Sequence, residues 1–294
     1  MENSERLKCG VVILNYNDAS TTLSLIYLIK EYRSIDYIVV VDNNSSDNSF
    51  DKLLSIQSSK CIIVKATTNG GYSYGNNIGA KLLVEKYNVD VVFIANPDVE
   101  FRPDLIDDCI YTLHHNHKIA VVSAIMKGIS GKPMRMWLKL PSFLNSCLDC
   151  SFIGRQINKF IRPTKIDYDR KIMEVDIIPG SFFGIKADVF KDIGYFDENV
   201  FLYYEENILG LKIKESGYKT AIITTNTFLH KHSISINKNL KLLNSFKISL
   251  ISKLYYEEKY KHINSIQKFF LKTLMKYAIF EMSLLLRLRS LINK

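Results

Sequence analysis

The chain has 294 residues, 47% of them hydrophobic and 12% aromatic, enough apolar surface for one large or two small globular domains. Its five cysteines are an odd, scattered set without the density of a disulfide-rich scaffold, which suits a reducing compartment. No basic segment leads into an uninterrupted apolar run near Met1, so a cytoplasmic protein without a signal peptide is expected.

Strand-like and helix-like patterns alternate from the start. "CGVVILNYN" reads as a strand, and "DASTTLSLIYLIKEY" follows with helical spacing behind a cap at Asp18 or Ser20. "YIVVVD" is the next strand, "NSFDKLLSIQ" a helix, "CIIVKATTN" a strand, "YGNNIGAKLLVEKY" a helix and "VDVVFIANPDV" a strand. A β-α-β-α-β-α-β series predicts an α/β fold with a mostly parallel central sheet and helices on its faces.

Polar residues gather where these strands stop: Asn15 and Asn17, then Asp42-Asn43-Asn44, Asn69-Gly70-Gly71 and Asn96-Pro97-Asp98. One such residue is an ordinary turn or cap. Four sets at successive strand ends predict a cleft, because ligands of parallel α/β sheets sit outside the carboxyl ends of the strands. Neither a G-x-G-x-x-G nor a Walker phosphate loop follows the first strand, where "LNYNDAST" contains no glycine.

Later segments are less uniform. Residues 125–180 show no clear period; Trp137 in that stretch reads as packing or as a stacking surface for a sugar. "HHNH" at 114–117 reads as a polar helix end, and the single C-x-x-C at Cys147 and Cys150 as packing, since no second pair completes a zinc site. "EENILGLKIKESG" reads as a helix with an acidic first turn and a Gly217 cap. From Ile236 to Lys294 there are 12 Lys and Arg against 3 Asp and Glu, so this tail holds the whole net charge of +9. There Lys268, Lys272 and Lys276 recur every fourth residue among Phe269, Phe270, Leu271, Leu274, Tyr277 and Phe280, a basic amphipathic helix too often interrupted by charge to span a bilayer. Its apolar side fits an anionic membrane surface or the protein's own catalytic domain, and the stripe alone does not choose. Nucleic acid is not expected, since no binding motif accompanies the basic residues.

"VVILNYND", "VVVDNNSSDNS", "NGGYSYGNNIGA" and "FIANPDV", in this order, resemble the nucleotide-sugar half of family 2 glycosyltransferases with the GT-A fold, particularly the rhamnosyltransferase-like bacterial branch. "PGSFFGIKADVFKDIGYFDENVFLYYEENILGLKIKESGYKT" resembles the acceptor half, the likeness covering roughly residues 9–235. It implies a catalytic domain over 1–235, divided into a nucleotide-sugar half (1–100) and an acceptor half (101–235), followed by a helical tail over 236–294.

The resemblance also implies roles. Asp42 would bond the pyrimidine ring, with Asn15, Asn17 and Asn44 on base and ribose; Gly70 and Gly71 would admit the nucleotide, and Asn76 or Asn77 would line the sugar site. Gly180 and Ser181 would lie under the transferred sugar. Asp98 would hold a divalent cation, Mg²⁺ or Mn²⁺, that neutralises the departing diphosphate. The family often has Asp-x-Asp where this chain has Asn96-Pro97-Asp98, so one carboxylate is missing; Asn96 offers a carbonyl or a ribose contact, and His230, with His232 as its rival, a further ligand. Glu206, or Glu205 beside it, takes the place of the base that deprotonates the acceptor hydroxyl in an inverting transfer. Asp197 reads as turn chemistry or acceptor binding.

The expected partners are a dTDP-rhamnose or UDP-sugar donor, a growing lipid-linked cell-surface glycan, the inner membrane face through the tail, and a second copy of the chain. Two alternatives stand beside this reading. A sugar nucleotidyltransferase would need a glycine-rich basic loop after its first strand, and a degenerate sugar-binding module would need no base.

Overall fold

The computed structural model describes residues 6–136, 138–162, 165–231 and 238–292; Trp137 and His232 lie outside the described residues. The first half alternates as its pattern predicts: β1 (Cys9–Asn15), α1 (Ala19–Ile29), β2 (Tyr37–Asp42), α2 (Ser49–Leu54), β3 (Cys61–Lys65), α3 (Gly71–Lys81) and β4 (Val91–Ala95). Asp18 caps α1, its side chain accepting the Thr21 N–H. Successive strand residues point to opposite faces. Val11 and Ile13 of β1 therefore enter one core cluster and Val12 the other, and β2 repeats this with Ile38 and Val40 against Val39 and Val41. A sheet buried on both faces explains why these runs are apolar throughout.

Then come β5 (Val99–Glu100), α4 (Pro103–His115), β6 (Ile119–Lys127), α5 (Phe143–Leu148), α6 (Phe152–Ile161), β7 (Ile172–Val175), β8 (Phe182–Lys186), α7 (Ala187–Asp192), α8 (Glu205–Glu215), β9 (Lys219–His230), α9 (Lys238–Lys259) and α10 (Ser265–Ile292). The sheet order is β3-β2-β1-β4-β8-β6-β9-β5, with β7 also on β9. The parallel expectation holds from β3 to β4. Beyond β4 the sheet is mixed: β8 lies antiparallel between β4 and β6, and β5 and β7 run antiparallel to β9. Periodicity marks strands but not their direction, so this half was not readable in advance.

That reversal gathers the site. Because β8 is antiparallel to β4, its first residue Phe182 sits opposite Ala95, the last of β4. β9 is parallel to β6 and ends at His230, which pairs with Val99 of β5. The carboxyl ends of β1, β2, β3, β4 and β9 and the start of β8 thus share one edge.

The tail docks on this body. Tyr256 of α9 is buried in a cluster with Val200, Ile208 and Leu211. Ser252 Oγ donates to the Leu202 carbonyl (2.8 Å), and the Tyr255 and Tyr260 hydroxyls donate to Asp197 (2.8 and 2.6 Å). Asp197 also accepts from Asn199, so turn chemistry and tail docking account for it. Leu271 and Ala278 of α10 pack with Leu250 and with Cys147 and Cys150, which are buried free thiols, as packing cysteines should be. Among the described residues no helix is long and apolar enough to cross a membrane.

Candidate active site

The base of the cleft is a buried network. Asn15 and Asp42 are register partners at the ends of β1 and β2. Asn15 Nδ2 donates to Asp42 Oδ1 (2.8 Å), which also accepts from Ser45 Oγ (2.6 Å), while Asp42 Oδ2 accepts the Ser45 N–H (3.0 Å). Asn15 Oδ1 in turn accepts from Thr22 Oγ1 (2.8 Å). Both side chains are fully buried. A carboxylate at that depth needs several donors, so Asp42 and Asn15 brace the strand ends from beneath instead of presenting atoms at the surface. The exposed rim falls to Asn17 and Asn44, both in the left-handed conformation (φ 53° and 57°) that asparagine tolerates better than most residues.

Gly70 and Gly71 open α3. Gly71 has φ +87°, and a Cβ there would stand 2.0 Å from the Phe201 carbonyl oxygen, which accepts the Tyr72 N–H at 2.9 Å. The close approach that glycine allows here is therefore to the chain's own loop before α8. Asn43 Nδ2 ties this corner by donating to Asn69 Oδ1 (2.9 Å) and the Gly71 carbonyl (3.1 Å). Asn76 is buried inside α3, bonding back to the Tyr72 carbonyl (3.0 Å), and its Oδ1 has no protein partner among the described residues. Asn77 is spent on structure, bridging the Phe196 backbone and Glu198.

The two residues expected to hold metal meet. His230 Nε2 lies 3.2 Å from Asp98 Oδ1, both side chains mostly buried, because β5 pairs with the end of β9. Two ligands of one octahedral ion, each about 2.1 Å from it, stand about 3 Å apart, so the spacing fits, and an oxygen–nitrogen pair favours Mn²⁺ over Mg²⁺. Among the described residues no third His, Cys, Asp or Glu joins them. Asn96 links this corner to β8: its N–H donates to the Ser181 carbonyl (2.8 Å). Ser181 itself is buried, its Oγ turned toward Met126 Sδ at 3.6 Å.

Glu205 and Glu206 begin α8, directly after Tyr203 and Tyr204, which both sit at φ 70°. Two consecutive non-glycine residues in the left-handed region store strain of order 1–3 kcal/mol each, a feature that gathers at working sites. Glu206 lies against Gly180, where an added Cβ would stand 3.0 Å from its Oε1. Tyr72 closes the other side, its hydroxyl donating to the Gly180 carbonyl (2.5 Å). Burial raises the pKa of both carboxyls; Glu205 is pushed further by the charge of Glu206, whose own shift comes from burial and is opposed by backbone hydrogen bonds including one from Gly180. The two carboxyls titrate as a pair, both held above the ordinary carboxylate range by burial. A cavity of about 210 Å³ opens beside Glu206, walled by Met126, Met136, Ile177 and Ile178, with Arg135 and Asn207 as its polar members.

Ser45, Thr22, Tyr72, Arg135 and the Tyr203-Tyr204 pair were not foreseen. Ser45, in "DNNSS", had a local signal as a turn residue three after a buried aspartate. Tyr72 and Arg135 act across 108 and 24 residues, and nothing local marks such contacts.

The family model for "Glycosyl transferase family 2" matches residues 10–194. The chain is 28% identical over 202 residues to the low-salt glycan biosynthesis hexosyltransferase Agl10 of Haloferax volcanii, covering 67% of this chain and 58% of that protein, so it spans less than two thirds of that relative. Its fold is that of mannosyltransferase PcManGT from Pyrobaculum calidifontis, solved with GDP-Man and Mn²⁺ (TM-score 0.62, 14% identity, 95% of this chain and 74% of that one). GalNAc-T7 with UDP, GalNAc and Mn²⁺ is similar at TM-score 0.59, 14% identity, 96% of this chain and 57% of that one. S. aureus TarS 1-349 in complex with UDP-GlcNAc follows at TM-score 0.52, with 14% identity over 89% of this chain and 69% of that one. The fold is GT-A, and the chain belongs to glycosyl transferase family 2.

Proposed function

We propose that the protein transfers a sugar from a nucleoside diphosphate to a glycan hydroxyl, with inversion at the anomeric carbon. The observation that carries this reading is the meeting, at one sheet edge, of the Asp98–His230 pair with Glu206, joined through Asn96, Ser181 and Gly180. Asp98 and His230 would hold a divalent cation whose remaining positions go to diphosphate and water; when bound, it neutralises charge on the leaving diphosphate. Asn17 and Asn44 present the rim for base and ribose, braced by Asn15 and Asp42, and Gly70, Gly71 and Asn76 form the wall beside it. Glu206, which lies against Gly180 and lines the cavity, takes the proton of the acceptor hydroxyl.

The donor is a pyrimidine diphosphate sugar, dTDP-rhamnose or a UDP-sugar, and the acceptor a growing cell-surface glycan on a membrane lipid. The relative's role in glycan biosynthesis supports the glycan acceptor. The basic tail supports the lipid: α9 docks on the catalytic body, and α10 keeps Phe269, Tyr277, Phe280, Leu284 and Leu288 exposed for the inner membrane face. The test is incubation of purified protein with each donor, Mn²⁺ and a lipid-linked glycan, with the product anomer read by NMR. Transfer with inverted configuration is expected. Retention would remove Glu206 from the role of base, and no transfer with any donor would favour a non-catalytic sugar-binding module.

A further inference from the structure

Helix α6 is built inside out. Its buried positions are Gly154 and Asn158, and Asn158 is held by polar bonds to the Asn145 carbonyl (3.2 Å) and Asp149 Oδ1 (2.7 Å), with Asn145 Nδ2 donating back to its Oδ1 (2.7 Å). Outward it turns Phe152, Ile153, Ile157, Phe160 and Ile161, with Phe160 90% exposed. At 100° per residue these five fall within half the helix circumference, an apolar face wide enough to be a core face in an ordinary surface helix, yet all five remain exposed. A contiguous exposed apolar patch of this kind marks an interaction site.

The patch does not stand alone. The Phe152 N–H donates to Glu281 Oε2 of α10 (2.7 Å), and Arg155 pairs with the same carboxylate at 3.7 Å. α10 carries its own exposed stripe, Ile266, Phe269, Phe270, Tyr277, Phe280, Leu284 and Leu288, which at 100° per residue fall within about a third of the circumference along a helix of about 42 Å. Glu281 is the one acidic residue from 265 to 292, and residues 151–165 contain none against Arg155, Lys159, Arg162 and Lys165. Exposed Lys159 borders the α6 face, and Lys272 and Lys276 border that of α10. An apolar face edged by lysines, with acidic groups removed, fits a layer that is apolar within and anionic at its surface.

We propose that α6 and α10 together form one docking face for an anionic bilayer surface, with α6 as the element that enters the acyl boundary. The inference extends the membrane side of the reading above to a segment outside the basic tail. It also orients the cleft: Arg135, which lines the cavity at Glu206, donates to the Lys159 carbonyl of α6. The mouth through which an acceptor reaches Glu206 is thereby tied to the inserted helix.

The test is co-sedimentation of the full chain with phosphatidylcholine vesicles, with and without phosphatidylglycerol, in the absence of donor, so that a wrong donor assignment leaves it untouched. The variant Ile153→Ser/Ile157→Ser/Phe160→Ser changes exposed residues only, and an unchanged melting temperature checks its fold. Wild type should bind the anionic vesicles and the variant at least tenfold more weakly, since burying these side chains is worth well over the roughly 1.4 kcal/mol that tenfold requires. Lys272→Glu/Lys276→Glu should weaken binding to anionic vesicles and leave any neutral-vesicle binding unchanged. Equal binding by wild type and the α6 variant overturns the proposal. So does a wild type that ignores both vesicles, whether it sediments as a dimer that the α6 variant dissolves, which would make the face a contact between copies, or as a monomer.

Discussion

The parallel half of the sheet and the α5–α6 segment dispose of apolar surface in opposite ways. In β1 and β2 the apolar side chains alternate between two core clusters, one on each face, and polarity appears only where strands end. In α6 the polar Asn158 and the bare Gly154 face the body and the aromatics face out. Position relative to the core, not composition, decides which reading of an amphipathic pattern holds: at the strand ends polarity gathers at one edge, and at α6 apolarity faces outward. α10 belongs to both types, packing Leu271 and Ala278 inward and exposing a second stripe.

The sharpest way to break this contrast is at the sheet edge itself. Glu206→Gln should lower turnover by roughly 10²–10⁴-fold while leaving donor binding and melting temperature near wild type, whereas the α6 variant should leave turnover of a soluble acceptor intact. Steady-state kinetics on both proteins checks it. If Glu206→Gln keeps full turnover, the base lies elsewhere.

Next in size is Gly71→Ala. It places a Cβ against the Phe201 carbonyl in a conformation with φ +87°, and should cost at least about 1–3 kcal/mol of stability, read as a lower denaturant midpoint. An unchanged midpoint would mean that the loop before α8 yields without penalty, and that α3 does not position the Glu205–Glu206 segment.

The tail's hold on that loop gives a smaller effect. Burial pulls the Asp197 carboxyl upward, but hydrogen bonds from Tyr260, Asn199 and Tyr255 outweigh it and leave the pKa below the ordinary value. A depressed carboxyl contributes stability that is present above its unfolded pKa and lost as pH falls through the folded one. Tyr255→Phe/Tyr260→Phe should therefore lower stability by about 1.5–3 kcal/mol at neutral pH, and the gap should shrink below about pH 4. A gap independent of pH would assign the loss to packing alone.

Smallest is Glu205→Gln. Burial, then the charge of Glu206, raise the Glu205 pKa, so the wild type loses stability as pH rises from the ordinary carboxylate range toward that raised value. The variant should melt slightly higher than wild type at neutral pH and equally near pH 4, and should keep most of its turnover, because Glu206 is the base. A loss of turnover as large as that of Glu206→Gln would transfer the base role to Glu205.

Much of the first half was readable in the residues. The run from Cys9 to Asn96 contains every strand of the parallel half, since β-branched runs broken by Asn, Asp and Gly signal both the element and its end. Asp98 and His230 were named from likeness and meet in space, though only sheet order could show that β5 pairs with β9. Asn15 and Asp42 were expected on the nucleotide and sit beneath the rim, because depth cannot be read from residue type. The stretch 125–180 hid α5 because it is only six residues long, and α6 because its inward face is Gly154 and Asn158, held by the Asn145–Asn158 bonds, so the usual rule of apolar-inward periodicity does not find it.

The central claim is that Asp98 carries a cation that couples donor to protein. The direct measurement is a thermal-shift series with UDP, dTDP, GDP and CMP, each with and without Mn²⁺, on wild type and Asp98→Ala. A ligand at 100 times its dissociation constant stabilises the native state by about 2.7 kcal/mol. The prediction is a rise in melting temperature with UDP or dTDP that needs both Mn²⁺ and Asp98. The same rise without metal, or undiminished in Asp98→Ala, would contradict it.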